Sequence, residues 1–281
     1  VDTLFQKFFG YNLIGIKSVH AIRMSSFFGN ELILGSYLIK FYPLLIGLVY
    51  FFYKDKFNFY FLLISFFTFV TIILSAEKTA IIVFVIEYFL ILIFYKINNK
   101  VKFSFIFLPF LLLSLMLFIF PNVKDRVYTK LLANTENFNY IFSITHHQHY
   151  LSAYKIFKDN PVIGIGPKMF RNYCSDDKYI ISQYSCTTHP HNFTIQLLSE
   201  TGVIGYICFI SIYLILVIDF FKLLFRKNYN RYYFPLSTVV ILNLINLMPL
   251  FPSGNFFNNW LAISYSIPIG FYLYFKSKLR N

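Results

Sequence analysis

The segment Thr188 to Asn192 reads Thr-His-Pro-His-Asn and stands just ahead of a long apolar run. An imidazole changes its charge near neutral pH, so His189 and His191 could move a proton or bind a metal ion. Their place beside an apolar run predicts titratable, hydrogen-bonding side chains where water meets membrane. That boundary suits chemistry on a polar substrate carried by a lipid.

Three interpretations of these histidines compete. In the first, His191 is a general base that takes a proton from a hydroxyl nucleophile. In the second, His189 and His191 bind a metal such as zinc, for which the carboxylates of the pair 176–177 and the two cysteines of the loop are candidate further ligands. In the third, the histidines only hydrogen-bond the loop to its neighbours. The residues by themselves leave the choice open.

The sequence around Pro190 predicts the start of a helix, with Thr188 near its N-cap. His191 and Asn192 would then stand in the first helical turn, where unpaired N–H groups and the positive end of the dipole favour an anion such as a diphosphate. We expect His189 and Asn192 to orient the base or to bind phosphate.

Composition places this segment in a membrane protein. The 281 residues are 57% hydrophobic and 13% charged, against about 25% charged residues in soluble domains. Lipid leaves open backbone groups without partners, so we predict an all-α, polytopic transmembrane helix bundle of about seven spans. The apolar runs are Ile33–Tyr53, Phe57–Leu74, Ala80–Ile97, Phe103–Phe120, Gly202–Phe225, Tyr232–Leu250 and Trp260–Phe275.

Basic residues in the short connections orient the bundle. If the spans alternate, the Lys and Arg clusters fall on one side, which the positive-inside rule makes cytoplasmic. Membrane orientation therefore explains the net charge of +13 without binding to nucleic acid, so we expect no nucleic-acid partner. The predicted parts are an outer-face segment 1–32, four spans in 33–120, a large periplasmic loop with short helices in 121–201, and three spans with a cytoplasmic C-terminus in 202–281.

The long loop holds five of the six histidines and two of the three cysteines. In an oxidising periplasm, Cys174 and Cys186 would form a disulfide that staples a sub-loop. The apolar spacing between residues 149 and 158 predicts an amphipathic helix. Gly202 and Gly205, at the end of the loop, would allow close helix packing or a bend where the fifth span begins.

Two charged residues fall inside predicted spans. Lys40 and Glu87 each lie seven residues into a span that runs inward from the outer face, which puts both about 10 Å deep. Charged groups at that depth are costly, so we predict that the two side chains pair across the bundle. The alternative is a Lys40 that extends outward and a neutral Glu87.

The arrangement of these motifs resembles a known family. His191-Asn192, followed by Gly202 and Gly205, resembles the signature of O-antigen ligases and the related O-antigen polymerases, which are bacterial inner-membrane glycosyltransferases. The segments 159–166 and 75–80 resemble the Asn-Pro-x-x-Gly-x-Gly turn and the short outer turn of the family, and 23–38 resembles the stretch before one of its spans. Lys78 stands where the family usually has Arg. It keeps the positive charge but lacks the planar guanidinium that binds phosphate through two parallel hydrogen bonds.

The resemblance implies transfer of a glycan from undecaprenyl diphosphate to a sugar hydroxyl of lipid A–core, or of another lipid-linked glycan in a polymerase. It implies an inverting mechanism with no metal and no cofactor, in which His191 is the catalytic base. Lys78 and Arg171 are then the first candidates to bind the diphosphate, followed by Lys168 and Arg23. A lipid-linked glycan transporter and an inactive, shortened relative are the alternatives, since the family usually has more spans and this chain begins at Val1.

Overall fold

The computed structural model of the protein describes residues 1–20, 22–96, 99–124, 144–227, 229–249 and 252–280. Residues 125–143 of the predicted periplasmic loop therefore lie outside the described ranges. The described chain is helical and has no β-strand. Its helices are α1 (Asp2–Phe9), α2 (Leu34–Ile39), α3 (Tyr42–Phe52), α4 (Phe57–Ser75), α5 (Lys78–Phe94), α6 (Asn99–Ile119), α7 (Ile144–Asp159), α8 (Phe170–Tyr173), α9 (Phe193–Leu224), α10 (Tyr233–Asn246) and α11 (Asn259–Arg280).

Three helical segments are long and apolar enough to cross a membrane. They are Leu34–Phe52, which joins α2 and α3, Lys54–Ser75, which contains α4, and Phe193–Leu224, which is α9. The prediction of an all-α protein with apolar helices of membrane length is thus confirmed for the described residues, and three of the seven predicted spans coincide with such helices. The other four predicted runs fall on α5, α6, α10 and α11, whose passage through the bilayer stays a prediction.

The chain divides into two compact units. The first unit comprises residues 1–133, 223–242 and 270–281, and the second comprises residues 134–222 and 243–269. In the first unit α4 is the central helix, in contact with α1, α2, α3, α5 and α6. Its sequence is apolar all round, and Phe61 is fully buried against the rings of Tyr88 and Phe105, at centroid distances of 5.3 and 5.6 Å. Phe59, Leu63 and Phe67 of the same helix are exposed, so α4 is apolar on its open face as well as on its packed face, as expected of a helix of membrane-spanning character.

The turn between α4 and α5 binds the start of α2. The Glu77 carboxylate accepts hydrogen bonds from the Gly35 and Ser36 N–H groups, at 2.7 and 3.2 Å, and from the Ser36 hydroxyl at 2.6 Å. A side chain at Gly35 would meet Ser75 and Ala80, so glycine permits this close approach. The carboxylate satisfies N–H groups that the first turn of a helix leaves open.

The two charged residues predicted to lie within the membrane belong to the first unit. Glu87 is fully buried on α5, and its charge interacts with that of Lys40, which follows α2. Neither Glu87 carboxylate oxygen has a hydrogen-bond partner among the described residues. Direct pairing of the two side chains stays a prediction.

In the second unit, α7 covers a small core made by the polypeptide that follows it. Helical spacing places Ala153 and Ile156 on one face of α7, where both are fully buried with Phe170 and Tyr179. The amphipathic helix predicted at residues 149–158 is present within α7. Cys174 belongs to the same core and is joined to Cys186 by a disulfide, with the two Cα atoms 4.9 Å apart.

Helix α9 is kinked at Gly202, where the backbone has φ 64° and ψ −168°. The Val203 N–H leaves the helical pattern and donates to the Pro161 carbonyl at 2.8 Å. A Cβ at Gly202 would overlap the Val162 carbonyl, and a Cβ at Gly164 would overlap the backbone of residues 200–201. The Asn-Pro-x-x-Gly turn therefore packs directly on the helix backbone because both contact points are glycines. Beyond the kink, residues 203–224 extend roughly 33 Å, about the thickness of the hydrocarbon layer.

Candidate functional site

His191 stands immediately outside helix α9, not in its first turn. The helix predicted to start near Pro190 begins at Phe193, so that prediction is wrong. The cause is Asn192, whose side-chain oxygen accepts the Ile195 N–H at 3.2 Å, as an N-cap residue does. The Asn192 amide nitrogen donates to the Pro249 carbonyl at 3.0 Å. This side chain fixes the helix start, and thereby the place of the histidine before it.

The backbone at His191 adopts the left-handed conformation, with φ 60°. Few residues other than glycine adopt it, and such strain is common at functional sites. The Ser253 N–H donates to the His191 carbonyl at 2.9 Å and holds this turn. Beside it, the Nδ1 atom of His189 lies 2.9 Å from the Thr188 hydroxyl. Both rings are thus displayed from a constrained segment.

Four histidine rings meet in the second unit, and we call His146, His149, His189 and His191 the imidazole cluster. The ring centroid of His191 lies 4.1 Å from that of His189, 5.2 Å from that of His146 and 5.5 Å from that of His149. His146 and His149 come from α7, where a spacing of three residues puts them on one face. The sequence predicted roles for His189 and His191 but gave none to the two α7 histidines.

Burial makes the imidazole cluster neutral. Desolvation, followed by the neighbouring imidazoles, lowers the pKa of His191 to about 3. Desolvation also lowers the pKa of His189 to about 4, with smaller contributions from His149, Arg171 and His146 and an opposing one from the Ser253 main chain. The pKa values of His146 and His149 are lowered as well, chiefly by desolvation. Near pH 7 the four rings are therefore uncharged, and each can gain a proton if a negative charge arrives nearby.

Three buried polar atoms near these rings lack a partner. They are Nδ1 of His149, Nε2 of His189 and the hydroxyl oxygen of Ser253, none of which makes a hydrogen bond of ordinary geometry within the described ranges. His149 is 7% exposed, and the Tyr184 main chain hydrogen-bonds its ring. Buried polar groups normally find partners, so a group of unpartnered ones calls for an explanation.

A network of buried polar side chains supports the site from α9. The Glu200 carboxylate accepts the Phe170 N–H and the Gln196 amide, both at 2.9 Å. The Gln196 amide also donates to Asn255 at 2.9 Å, and its oxygen accepts the Phe256 N–H at 3.0 Å. These residues fix the start of α8 and the 253–256 segment to the same two turns of α9. Sequence reasoning missed them, although a polar pair four residues apart within an apolar run was a usable signal.

The structure brings one of the predicted cations to the histidines. Arg171, exposed on α8, is close enough for its charge to lower the pKa of His189. Lys168 is exposed and has a left-handed backbone, with φ 64°, and its main chain hydrogen-bonds the Glu200 carboxylate. The charge of Lys168 is not among those that act on the imidazole cluster in the part of the chain described.

The other two predicted cations belong to the first unit. Arg23 donates from Nη2 to the Leu32 carbonyl at 2.8 Å and from Nε to the Ser75 carbonyl at 3.3 Å. Lys78 is the first residue of α5, three residues after Ser75. The turn that Arg23 and Lys78 share is thus well defined, and their part in binding a substrate stays a prediction.

Neither a metal centre nor a phosphate loop is evident at these positions. Over the described ranges, no three or more His, Cys, Asp or Glu side chains are arranged to hold a metal ion. Gly164 and Gly166 both have positive φ, 67° and 102°, in a turn that packs on α9 through the Gly166 N–H and the Glu200 carbonyl, 2.8 Å apart. The glycines serve a tight turn, as their spacing favours.

Comparison with known proteins gives one match. No curated protein and no solved structure matches the chain. The model of a family described as O-antigen ligase matches residues 63–210, a segment that contains α5, the imidazole cluster and the kink at Gly202. This match covers more than half of the 281 residues, and the chain therefore belongs to the O-antigen ligase family.

Proposed function

We propose that this protein transfers a glycan from undecaprenyl diphosphate to a sugar hydroxyl, with His191 as the general base. Membership of the O-antigen ligase family implies a glycosyltransferase-like membrane enzyme that acts on a lipid-linked glycan and a glycan acceptor. The single observation that carries the proposal is the His191 ring, neutral and held on a strained turn beside three other imidazoles. One of these, His189, is within range of the charge of Arg171.

The proposed reaction is a single displacement that needs no metal and no cofactor. The acceptor oxygen attacks the anomeric carbon of the donor sugar and forms the new glycosidic bond. The bond between that carbon and the diphosphate oxygen breaks, and both of its electrons leave with the lipid diphosphate. The hydroxyl proton moves to a ring nitrogen of His191. Attack from the face opposite the leaving group inverts the configuration at the anomeric carbon.

A base with a pKa of about 3 is weak in the free protein, although it is always available near pH 7. The arrival of a diphosphate changes this balance, because nearby negative charge favours the protonated imidazole and raises its pKa. The acceptor hydroxyl also becomes acidic only as its oxygen forms the new bond. We therefore expect His191 to gain basicity when the donor is in place.

Neutralising the leaving group is the second requirement of the reaction. Lipid diphosphate leaves as a stable anion, so cationic groups aimed at the developing charge matter more than a proton donor. Arg171 is the best-supported candidate because its charge acts on His189. Lys78 is proposed to assist because it stands where the family usually has Arg, and Lys168 and Arg23 are the remaining candidates.

We propose that the protein lies in the bacterial inner membrane with seven spans, a periplasmic loop at 121–201 and a cytoplasmic C-terminus. The disulfide between Cys174 and Cys186 supports an oxidising compartment for this loop. For a ligase the acceptor is lipid A–core, and for a polymerase it is a second lipid-linked repeat. A transporter would instead distribute polar groups along a path near the bilayer midplane, whereas the histidines here gather next to one end of α9.

Reconstitution with a lipid-linked glycan donor tests the proposal. The native protein should transfer the glycan to lipid A–core or to a second lipid-linked glycan, and the preferred acceptor distinguishes ligase from polymerase. His191→Ala should lower the transfer rate by at least about a hundredfold, as expected for loss of a general base. The anomeric configuration of the product tests inversion.

His147→Ala is the matched control. His147 lies on the same helix as His146, and one residue of helix turns its side chain about 100° away from that position. This variant should keep the native rate to within about threefold, a free-energy change of about 0.6 kcal/mol. Native-like transfer by a folded His191→Ala protein would remove His191 from the mechanism.

A further inference from the structure

The imidazole cluster contains more histidines than the proposed reaction uses. One ring suffices as the general base, yet His146 and His149 are brought by a separate helix to within 5.2 and 5.5 Å of His191. His149 is almost fully buried, which is unusual for a polar ring that has a ring nitrogen with no partner. Their position calls for a role at this site beyond packing.

The charges around the cluster favour an anion. Arg171, on α8, is the charged group that acts on these rings from a neighbouring element, and it is cationic. Tyr150, also on α7, stacks on His146 at a centroid distance of 6.3 Å and is neutral near pH 7. The 253–256 segment contributes the neutral Ser253. Within the described ranges, no carboxylate appears among the groups that act on the four rings.

The unpartnered atoms supply the hydrogen bonds that such an anion needs. Nδ1 of His149 and the Ser253 hydroxyl are buried without hydrogen-bond partners among the described residues. Nε2 of His189 is also buried and makes no hydrogen bond of ordinary geometry there, although the Ser253 main chain interacts with its ring. A protonated imidazole donates from both ring nitrogens, and a hydroxyl donates one hydrogen. A diphosphate offers only acceptor oxygens, so each imidazole becomes a better partner when it gains a proton.

We propose that His146, His149, His189 and Ser253 form a diphosphate subsite beside His191, and that this subsite takes up a proton from solvent as the diphosphate binds. The inference rests on the proposed function, because it assigns the diphosphate of the glycan donor to these residues. The proton moves from water or buffer to an imidazole nitrogen on binding, and it returns when the lipid diphosphate leaves.

The direction of the pH dependence follows from this coupling. In the free protein the histidine pKa values are lowered by burial, and a bound dianion raises them again. Below the histidine pKa of the free protein, proton uptake contributes fully to the affinity for diphosphate. As pH rises from that value, the contribution falls, and it is gone above the higher histidine pKa of the complex. Between the two values, binding should weaken about tenfold for each pH unit per proton taken up.

Isothermal titration calorimetry on the purified full chain in detergent measures the coupling. Farnesyl diphosphate and inorganic pyrophosphate serve as probes, each titrated in two buffers of different ionisation enthalpy at pH 7.5. We expect uptake of about one proton per diphosphate for the native protein with both probes. Uptake below about 0.2 proton on binding, or binding of farnesyl diphosphate alone through its lipid tail, would overturn the proposal. Failure of both probes to bind would overturn it as well.

Three variants locate the proton. His149→Gln should abolish most of the uptake and weaken binding at least about tenfold, or about 1.4 kcal/mol. Because His149 is buried and its replacement could disturb folding, His146→Gln provides a second test at a partly exposed ring. His147→Gln is the control and should keep native uptake. Ionisation of the probe itself is common to all variants, so it cancels in these comparisons. Equal uptake in all three variants would refute the assignment.

The transfer assay separates this inference from the proposed function. Glycan transfer by a native protein that binds diphosphate without proton uptake would remove the inference and leave the function intact. Proton uptake on diphosphate binding without any glycan transfer would support the subsite and count against the function.

Discussion

Replacing Gly202 with alanine should be among the most damaging single-methyl changes in the protein. The residue has φ 64° and ψ −168°, a region that only glycine occupies readily, and a Cβ would overlap the Val162 carbonyl. Backbone strain of this kind costs about 1–3 kcal/mol, and the overlap with main-chain atoms adds to it. We expect a total of about 3 kcal/mol, which corresponds to a fall in Tm of roughly 6–12 °C.

Thermal unfolding in detergent, followed by circular dichroism or by a thiol-reactive dye, measures this loss. Gly270→Ala is the matched control, because Gly270 lies inside α11 where an added methyl would meet no atom within 4 Å, and alanine favours helix by about 1 kcal/mol. Its Tm should stay level or rise by about 2–4 °C. If Gly202→Ala were as stable as Gly270→Ala, the conclusion that the Asn-Pro-x-x-Gly turn packs directly on the α9 backbone would be refuted.

Two further predictions concern charge pairing and the disulfide. Lys40→Met and Glu87→Gln should each lower Tm. The loss of stability in the double variant should be about 1 kcal/mol smaller than the sum of the two single losses, and strict additivity would contradict pairing. Reduction of the Cys174–Cys186 bond should destabilise the protein by about 2–3 kcal/mol, as expected for a loop of this length, and weaken diphosphate binding, whereas Cys208→Ser should change neither property. A Tm unaffected by reduction would show that the disulfide does not constrain this segment.

Much of the architecture could be predicted from the sequence because apolar runs of membrane length leave the backbone few choices other than helix. The spacing from His191-Asn192 to Gly202 and Gly205 likewise pointed to one end of a helix and a bend within it. The helix start was predicted too early, because an N-cap at Thr188 with Pro190 in the first turn was consistent with local rules, as was an N-cap at Asn192. Local rules rank Asn above Thr at an N-cap, yet they do not say which candidate the rest of the fold will select.

The composition of the site was harder to predict. His146 and His149 lie more than forty residues before His191, and only the packing of α7 on the following core brings the rings together. Glu200 lies in an apolar run, where its spacing from Gln196 was a usable signal but its hydrogen bond to the Phe170 N–H could not be foreseen. Tertiary contacts of this kind leave no periodic signal in the sequence.

The most direct test of the central claim separates catalysis from binding at His191. Single-turnover transfer and donor affinity would be measured in the same preparation for the native protein and for His191→Gln, which keeps a polar side chain of similar reach. The account predicts that the rate of the chemical step falls at least about a hundredfold while the donor Kd changes by less than about threefold. A variant that transfers at the native rate once saturated with donor, with the whole defect in Kd, would contradict the role of His191 as the base.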